Sequence, residues 1–331
     1  MLKFGDEVIY KPTVKLTNAQ NAGGQLFYFG KDTTNCANYA SNFISGENYV
    51  IQTAIDLGMV ESVKIGTTAI TGFAYANKQL TIPVAQIALL ANGDAVMEIV
   101  TATADYSADV TIADYVVTTE TEFKSVFSGT ATFTNYVVLG NDITFTSSFV
   151  GHQGVFSGTL NGKGYALKNL TIPEAGIGLS SEMNGQVKNL AILNVTHNGD
   201  GAVVANQSRG LIDNVIITGI AGGHSTLANV MYSGTVSNSI VIVEQNARNA
   251  ETSASIVRSM KGTATNCFAV SKSFVNTFNN PTGTVNNCDI KTSAEDLVAL
   301  FNGTLPTGFN AYWSLSNGSL SFGNNVVMSA N

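Results

Sequence analysis

The stretch Gly185-Gln186-Val187-Lys188-Asn189-Leu190-Ala191-Ile192 decides the fold, because the chain repeats it. A glycine, an apolar residue two positions on and an asparagine two beyond that recur at Gly210-Leu211-Ile212-Asp213-Asn214 and Gly234-Thr235-Val236-Ser237-Asn238. They return at Gly262-Thr263-Ala264-Thr265-Asn266 and Gly283-Thr284-Val285-Asn286-Asn287. A looser copy, FSGTLNGKGYALKNLTI at 156–172, is read as ending on Asn169. Successive asparagines of this series lie 20 to 28 residues apart, and self-similarity at that period marks a solenoid.

The residues around each asparagine say which solenoid. The first position after it reads Leu170, Leu190, Val215, Ser239, Cys267, Cys288, and the third reads Ile172, Ile192, Ile217, Val241, Ala269, Ile290. Such alternation is a strand signal. The apolar residue before the asparagine stands three positions from the next inward one, so the parity breaks there. Asparagine tolerates the left-handed region and bonds its own backbone, so a bend at Asn restores the parity. Stacked coils then align the asparagines into a ladder. A third strand is visible at Val203-Val204, Val230-Met231 and Ile256-Val257. Three short strands per coil, rich in Val, Ile and Ala and lacking fixed leucines, predict a parallel β-helix over a leucine-rich repeat. Coils stack at ~4.8 Å, so about six of them make a rod of roughly 25–30 Å.

An open solenoid end is an exposed sheet edge. Two helices are placed to cover the ends. Thr119-Glu120-Thr121-Glu122 is a capping box before Phe123, Val126 and Phe127, with Gly129 as the stop. Thr292-Ser293-Ala294-Glu295 reads as a second box before Leu297, Leu300 and Phe301, ended by Asn302-Gly303. Upstream, residues 48–114 carry short alternating strands around Val63, Ile65, Leu80, Ile82 and Val96 to Val100, and Asn92-Gly93 reads as a hairpin. The division expected is an N-terminal attachment region at 1–47, a small β-sandwich at 48–114 and the β-helix with its helices at 115–331.

Charged residues make up 12% of the chain, about half the usual ~25%, so Asn, Thr, Ser and Gly must cover the surface. The net charge is -7 with no basic cluster, which sets aside nucleic acid and anionic membranes as partners. No apolar run reaches the ~20 residues of a membrane span, and MLKFGDEVIYKPTVKL lacks a signal-peptide core, which reads either as a mature form or, as Met1 favours, as a protein made and assembled in a cytoplasm. Three cysteines, Cys36, Cys267 and Cys288, are no disulfide framework, and no C-x-x-C suggests zinc.

The repeats FSGTLNGKGYALKNLTI, GIGLSSEMNGQVKNLAILNV and GAVVANQSRGLIDNVIITG resemble the GLUG-type repeats of bacterial surface proteins, carried in pectin-lyase-like right-handed β-helices. ETEFKSVFSG resembles the lead-in of such domains, and FNAYWSLSNGSLSFGN, with Trp313, their close. The likeness covers about residues 115–323. GENYVIQTAIDLGMVESVKIGTTAI with LTIP is similar to Ig-like domains of the TIG kind. Together these parts resemble phage virion proteins, such as capsid decorations or head fibres. The resemblance implies a non-enzymatic structural or attachment protein of the virion. It would bind a larger assembly through its N-terminal region and touch a surface glycan, and a homo-oligomer is expected because weakly charged polar β surfaces often pack together in fibres. The alternatives are a secreted bacterial adhesin and a β-helix carbohydrate-active enzyme.

The enzyme alternative needs clustered acids and a base. From residue 150 on, the acids are Glu174, Glu182, Asp200, Asp213, Glu244, Glu251, Asp289, Glu295 and Asp296, and no two share a column of adjacent coils. No catalytic, cofactor or metal residue is therefore assigned. Arg209 and Asp213 flank one corner and are expected to form a surface ion pair. His152, His197 and His224 are expected in solvated loops or corners. Cys267 and Cys288 fall in one column of successive coils, ~5 Å apart at Cα, a separation a disulfide permits. Their column is otherwise apolar, so two reduced, buried thiols are expected, silent to titration in the native protein. The sequons at Asn169, Asn194, Asn206, Asn302 and Asn317 carry no inference in so Asn/Thr/Ser-rich a chain.

Overall fold

The computed structural model describes residues 2–4, 7–16, 26–32, 43–173, 177–245, 254–272, 276–279 and 281–329. The chain forms two compact units, Met1–Thr118 and Thr119–Asn331.

The first unit is built on antiparallel sheets. In one, Asp105–Ala113, Gly93–Thr101, Val60–Ile65 and Thr68–Ile70 follow one another antiparallel. Thr13–Lys15 and Leu26–Gly30 extend this sheet by pairing parallel to Asp105–Ala113. Of the segment expected as an attachment region, Thr13–Lys15 and Leu26–Gly30 are thus edge strands of this sheet, while Leu2–Phe4 and Glu7–Tyr10 pair with each other antiparallel. Salt bridges of 2.7 Å from Lys11 to Asp105 and 2.6 Å from Lys15 to Asp109 sit along this edge. A second sheet orders Phe43–Ser45, Asn48–Gln52, Gln79–Pro83 and Ala74–Ala76. The sheets meet where the Phe29 and Tyr49 rings pack edge to face at 5.1 Å. Asn92-Gly93 is not a hairpin. It leads from the short helix Val84–Ile87 into Gly93–Thr101, and Asn92 Nδ2 donates to Asp114 Oδ2 at 2.9 Å. The I′-like turn falls at Asn77-Lys78, where φ is +53° and +61°.

The second unit is a parallel β-solenoid of about six turns. Tyr136–Leu139, Thr159–Asn161, Gln186–His197, Leu211–Ala221, Thr235–Gln245, Thr263–Val270 and Thr284–Asn286 stack in parallel. A second stack runs His152–Phe156, Ser180–Met183, Ala205–Ser208, Ala228–Met231 and Val257–Met260. Inward columns such as Leu160, Val187, Ile212, Val236 and Ala264 are at most 2% exposed.

Each feature of the repeat has a steric cause. Asn189, Asn214, Asn238, Asn266 and Asn287 hold φ between +48° and +54°, so each long strand turns its corner at a left-handed asparagine. The glycines are required by close approach. A Cβ on Gly185 would lie 1.9 Å from the Gly158 carbonyl oxygen, and one on Gly210 the same distance from that of Gly185.

The first coil needs a correction. Asn169 does not belong with Asn189. Ala166 pairs with Ala191 and Thr171 with Thr196, which sets Asn169 beside Asn194 at the next corner, and Asn194 Nδ2 donates to Asn169 Oδ1 at 2.8 Å. The matching corner is Asn161 to Gly164, where Lys163 takes φ +53° and Asn161 Oδ1 accepts from Asn189 Nδ2 at 3.0 Å. The strings KNL at 168–170 and 188–190 are alike because both corners make the same demand on the backbone.

The leading helix, Glu120–Phe127, carries the expected capping box: Thr119 Oγ1 accepts from the Glu122 N–H at 3.3 Å and the Thr119 N–H donates back at 3.1 Å. Phe127 stacks on Phe133 at 5.4 Å and Phe156 at 5.8 Å, closing the start of the solenoid interior. The gap left between Phe127, Phe156, Leu160, Leu179, Val187 and Val204 is too small for a water molecule.

The trailing helix, Ala294–Phe301, differs from expectation twice. Its N-cap is Ser293, which accepts from the Asp296 N–H at 3.1 Å, not Thr292. Nor does it cover the solenoid end. Leu297 and Phe301 pack with Phe268, Trp313, Leu320, Phe322 and Met328 over the outward column Ala166, Ala191, Ile216 and Ile240. The strands Trp313–Ser316, Ser319–Phe322 and Asn325–Ser329 complete this cover. An apolar outward column is as demanding as an open end, because each large side chain left in water forfeits ~1.5–3 kcal/mol. The last rung, Thr284–Asn286, stays exposed.

Candidate functional site

The corner asparagines form most of a ladder. Asn287 Nδ2 donates to Asn266 Oδ1 at 2.7 Å, and Asn266 Nδ2 to Asn238 Oδ1 at 3.0 Å. Asn238 Nδ2 then donates to Asp213 Oδ1 at 2.9 Å, with Ser237 Oγ on the same oxygen at 2.6 Å and Asn214 Nδ2 on Asp213 Oδ2 at 2.8 Å. Because Asn214 turns toward Asp213, the step to Asn189 is left open. Asn310 fills it: its side-chain amide donates to Asn189 Oδ1 at 2.6 Å and its N–H to Asn214 Oδ1 at 3.2 Å. The Trp313 indole N–H also reaches Asn214 Oδ1, at 3.1 Å. Asn310 was invisible to a reading by repeats, since it lies outside them.

Asp213 is therefore a ladder member and does not pair with Arg209. Arg209 bonds Glu182 of the preceding coil and lies over the Tyr232 ring, 4.7 Å from its centroid. Lys261 of the following coil stands 5.5 Å from the same ring. Tyr232 is 39% exposed, so Arg209, Tyr232 and Lys261 form a polar, aromatic column on the outside of the solenoid, with Glu182 reaching it from the neighbouring column of Gln207. The repeat carried part of the signal: Arg209 and Lys261 stand immediately before a Gly-x-apolar-x-Asn motif, and Tyr232 two residues before one.

The histidines are not all solvated. His197 is 0% exposed and stands in the inward column between Ile172 and Ala221. His152 is 2% exposed, in the column of Ser180 and Ala205, 5.9 Å from the Phe133 ring. Neither ring nitrogen of either residue has a hydrogen-bond partner. Burial lowers the His197 pKa from 6.5 to about 4, against the pull of Asp200. His224 is partly buried; its pKa is also lowered, by burial and by Arg258, with Asp200 opposing.

Cys267 and Cys288 are free thiols on successive rungs, and Cys36 lies outside the described residues. Cys267 is buried as expected. Cys288 is only half-buried, because no coil follows its rung. Burial, with the neighbouring Cys288 thiol, pushes the Cys267 pKa up, while hydrogen bonds from Cys267 lower that of Cys288.

Glu120, the first residue of the leading helix, gathers five donors. Lys124 Nζ lies 2.6 Å from Oε1, which also accepts from Ser147 N at 3.1 Å and Oγ at 2.8 Å. Oε2 accepts from Thr146 N at 2.8 Å and Oγ1 at 2.7 Å. Burial pushes its pKa up, but the bonds from Lys124, Thr146 and Ser147 outweigh this and hold it well below the usual carboxylate range. Glu120→Gln is expected to cost about 2–3 kcal/mol, since charge-assisted bonds are lost and an amide N–H₂ faces N–H donors. Urea denaturation at pH 7 checks this, and an unchanged midpoint refutes it.

No group of three or more His, Cys, Asp or Glu side chains able to hold a metal ion is found among the described residues. Glu182 stacks on Val155 and Gln207, Asp213 on Lys188 and Ser237, and Asp289 on Phe268, so these acids do not adjoin one another along the stack. Glu174 and Glu251 lie outside the described residues.

No known protein family matches the chain, and no solved structure does. A segment of 83 residues is 35% identical to halomucin of Haloquadratum walsbyi (strain DSM 16790 / HBSQ001). The match covers 23% of this chain and 1% of that protein's length.

Proposed function

We propose that the chain is a non-catalytic structural and attachment protein, a bacteriophage virion component such as a capsid decoration or head fibre. The observation that carries the non-catalytic part is the use of the solenoid's carboxylates. Glu120 pins the leading helix, Asp142 pairs with Lys168 at 2.8 Å, Glu182 bonds Arg209, Asp213 joins the ladder and Asp289 pairs with Lys291 at 2.6 Å. Acids so engaged are poorly placed to serve as a paired acid and base. In this reading the first unit, an Ig-like module, attaches the chain to its assembly, and the Arg209–Tyr232–Lys261 column, with Glu182 beside it, meets a surface glycan. The virion assignment itself rests on the likeness of these parts to GLUG-type and Ig-like modules. The second reading, a surface adhesin of the same architecture, is favoured by the halomucin likeness.

The test exposes the full chain to a panel of neutral and acidic polysaccharides, scoring both binding and the release of new chain ends. Binding without chain cleavage is expected, weakened by Tyr232→Ala. Cleavage of any of them overturns the non-catalytic reading. Immunodetection in purified virions against cell envelopes then separates the two exterior readings.

A further inference from the structure

Cys267 and Cys288 stand in adjacent rungs of the solenoid. Ser239 pairs with Cys267, and Phe268 with Asp289, so the register sets Cys288 directly on Cys267. The Cys267 N–H donates to Cys288 Sγ at 3.4 Å, while Cys267 Sγ lies 3.4 Å from the Thr265 carbonyl and Cys288 Sγ 3.2 Å from that of Asn286. Residues so stacked are ~4.8 Å apart at Cα, inside the ~4.4–6.8 Å window of a disulfide. The two partners differ in access. Cys267 is 0% exposed and faces the interior beside Ala264 and Ala269, whereas Cys288 sits on the terminal rung next to the exposed strand Thr284–Asn286.

We propose that this pair is a thiol–disulfide exchange site, which a low-molecular-weight disulfide oxidises so as to clip the last rung to the one before it. In the first step the Cys288 thiolate attacks one sulfur of the reagent. A Cys288–S bond forms, the reagent's S–S bond breaks and one small thiolate leaves. In the second, Cys267 gives its proton to a small thiolate and attacks Cys288 Sγ. The Cys267–Cys288 bond forms and the second small thiolate leaves. Two protein thiols are oxidised by two electrons and one small disulfide is reduced to two thiols. The hydrogen bonds from Cys267 favour the thiolate at Cys288, the form that attacks. Cys288 is thus the entry thiol and Cys267 the resolving one.

The test incubates the native full chain, carrying Cys36→Ser, with oxidised glutathione, then blocks free thiols in denaturant and measures intact mass. The expected product has lost two hydrogens, accepts no blocking reagent and yields a cross-linked peptide containing both cysteines. Cys267→Ser should stop at one glutathione on Cys288, with a reaction rate whose pH midpoint lies below that of an ordinary thiol. Cys288→Ser should leave Cys267 unmodified while the fold holds, as monitored by circular dichroism. A native Cys36→Ser chain that keeps two free thiols, or that stops at the glutathione adduct, overturns the proposal. So does a Cys288→Ser chain whose buried Cys267 reacts as fast.

Discussion

Trp313→Ala is expected to destabilise the solenoid unit by about 3–5 kcal/mol. The indole is 5% exposed and lies between Phe309 at 5.1 Å and Phe322 at 4.9 Å. Its N–H reaches the oxygen of Asn214, the corner where the ladder departs from the simple pattern. Removing the ring therefore opens a cavity between Phe309 and Phe322 and leaves that oxygen only the Asn310 N–H, at 3.2 Å. Trp313→Phe separates the two effects: it keeps most of the apolar contact, loses the hydrogen bond and should cost about 1–2 kcal/mol. Val326, 66% exposed, is the control, and its replacement by alanine should change little. Urea denaturation of the three variants decides the matter. A midpoint for Trp313→Ala equal to that of the control would mean that the C-terminal cover is dispensable.

Acid should weaken the fold through His197. Its folded pKa is lowered from 6.5 to about 4, so between those values the unfolded chain binds a proton that the folded chain refuses. Stability then rises with pH across the window and is lost as pH falls from 6.5 toward 4. The full shift corresponds to ~3 kcal/mol. The geometry gives the reason, since an imidazolium in the column of Ile172 and Ala221 would have neither water nor a hydrogen-bond acceptor. Only the charge of Asp200 favours it. Carboxylates such as Glu120 lose their own contribution at lower pH, so the diagnostic quantity is a difference. Wild type should lose ~3 kcal/mol more than His197→Leu between pH 7 and pH 4. Parallel stability profiles for the two proteins would refute the assignment.

The solenoid was legible because its constraints are local and repeated. A left-handed corner needs asparagine at every coil, and a backbone stacked within ~4.8 Å of the next needs glycine where a Cβ would strike a carbonyl. Such demands recur in the sequence, and the columns Val187, Ile212, Val236 and Ile192, Ile217, Val241 follow from them in register. The same locality misled at Asn169. Two different corners make the same demand, and only the strand pairing tells which corner a given asparagine turns. The leading helix could be read through its capping box, whose bonds span three residues. The trailing helix could not be placed, because Thr292 and Ser293 are equally good caps and only the packing of Leu297 and Phe301 chooses between them.

The rest of the solenoid follows the same division. Sequence by itself determined a parallel β-helix of about six coils, its asparagine corners, the stacking of Cys267 on Cys288 and the separation of its acids along the stack. Tertiary structure alone decided that His197 faces inward, that Arg209 pairs with Glu182 and stacks on Tyr232, and that residues 304–329 fold back to cover an outward apolar column. Periodic contacts between neighbouring coils leave a period in the sequence. Contacts such as Asn310 to Asn189, or Trp313 to Asn214, join residues about a hundred positions apart with no repeat to announce them. They exist only once the solenoid has brought its corners into line.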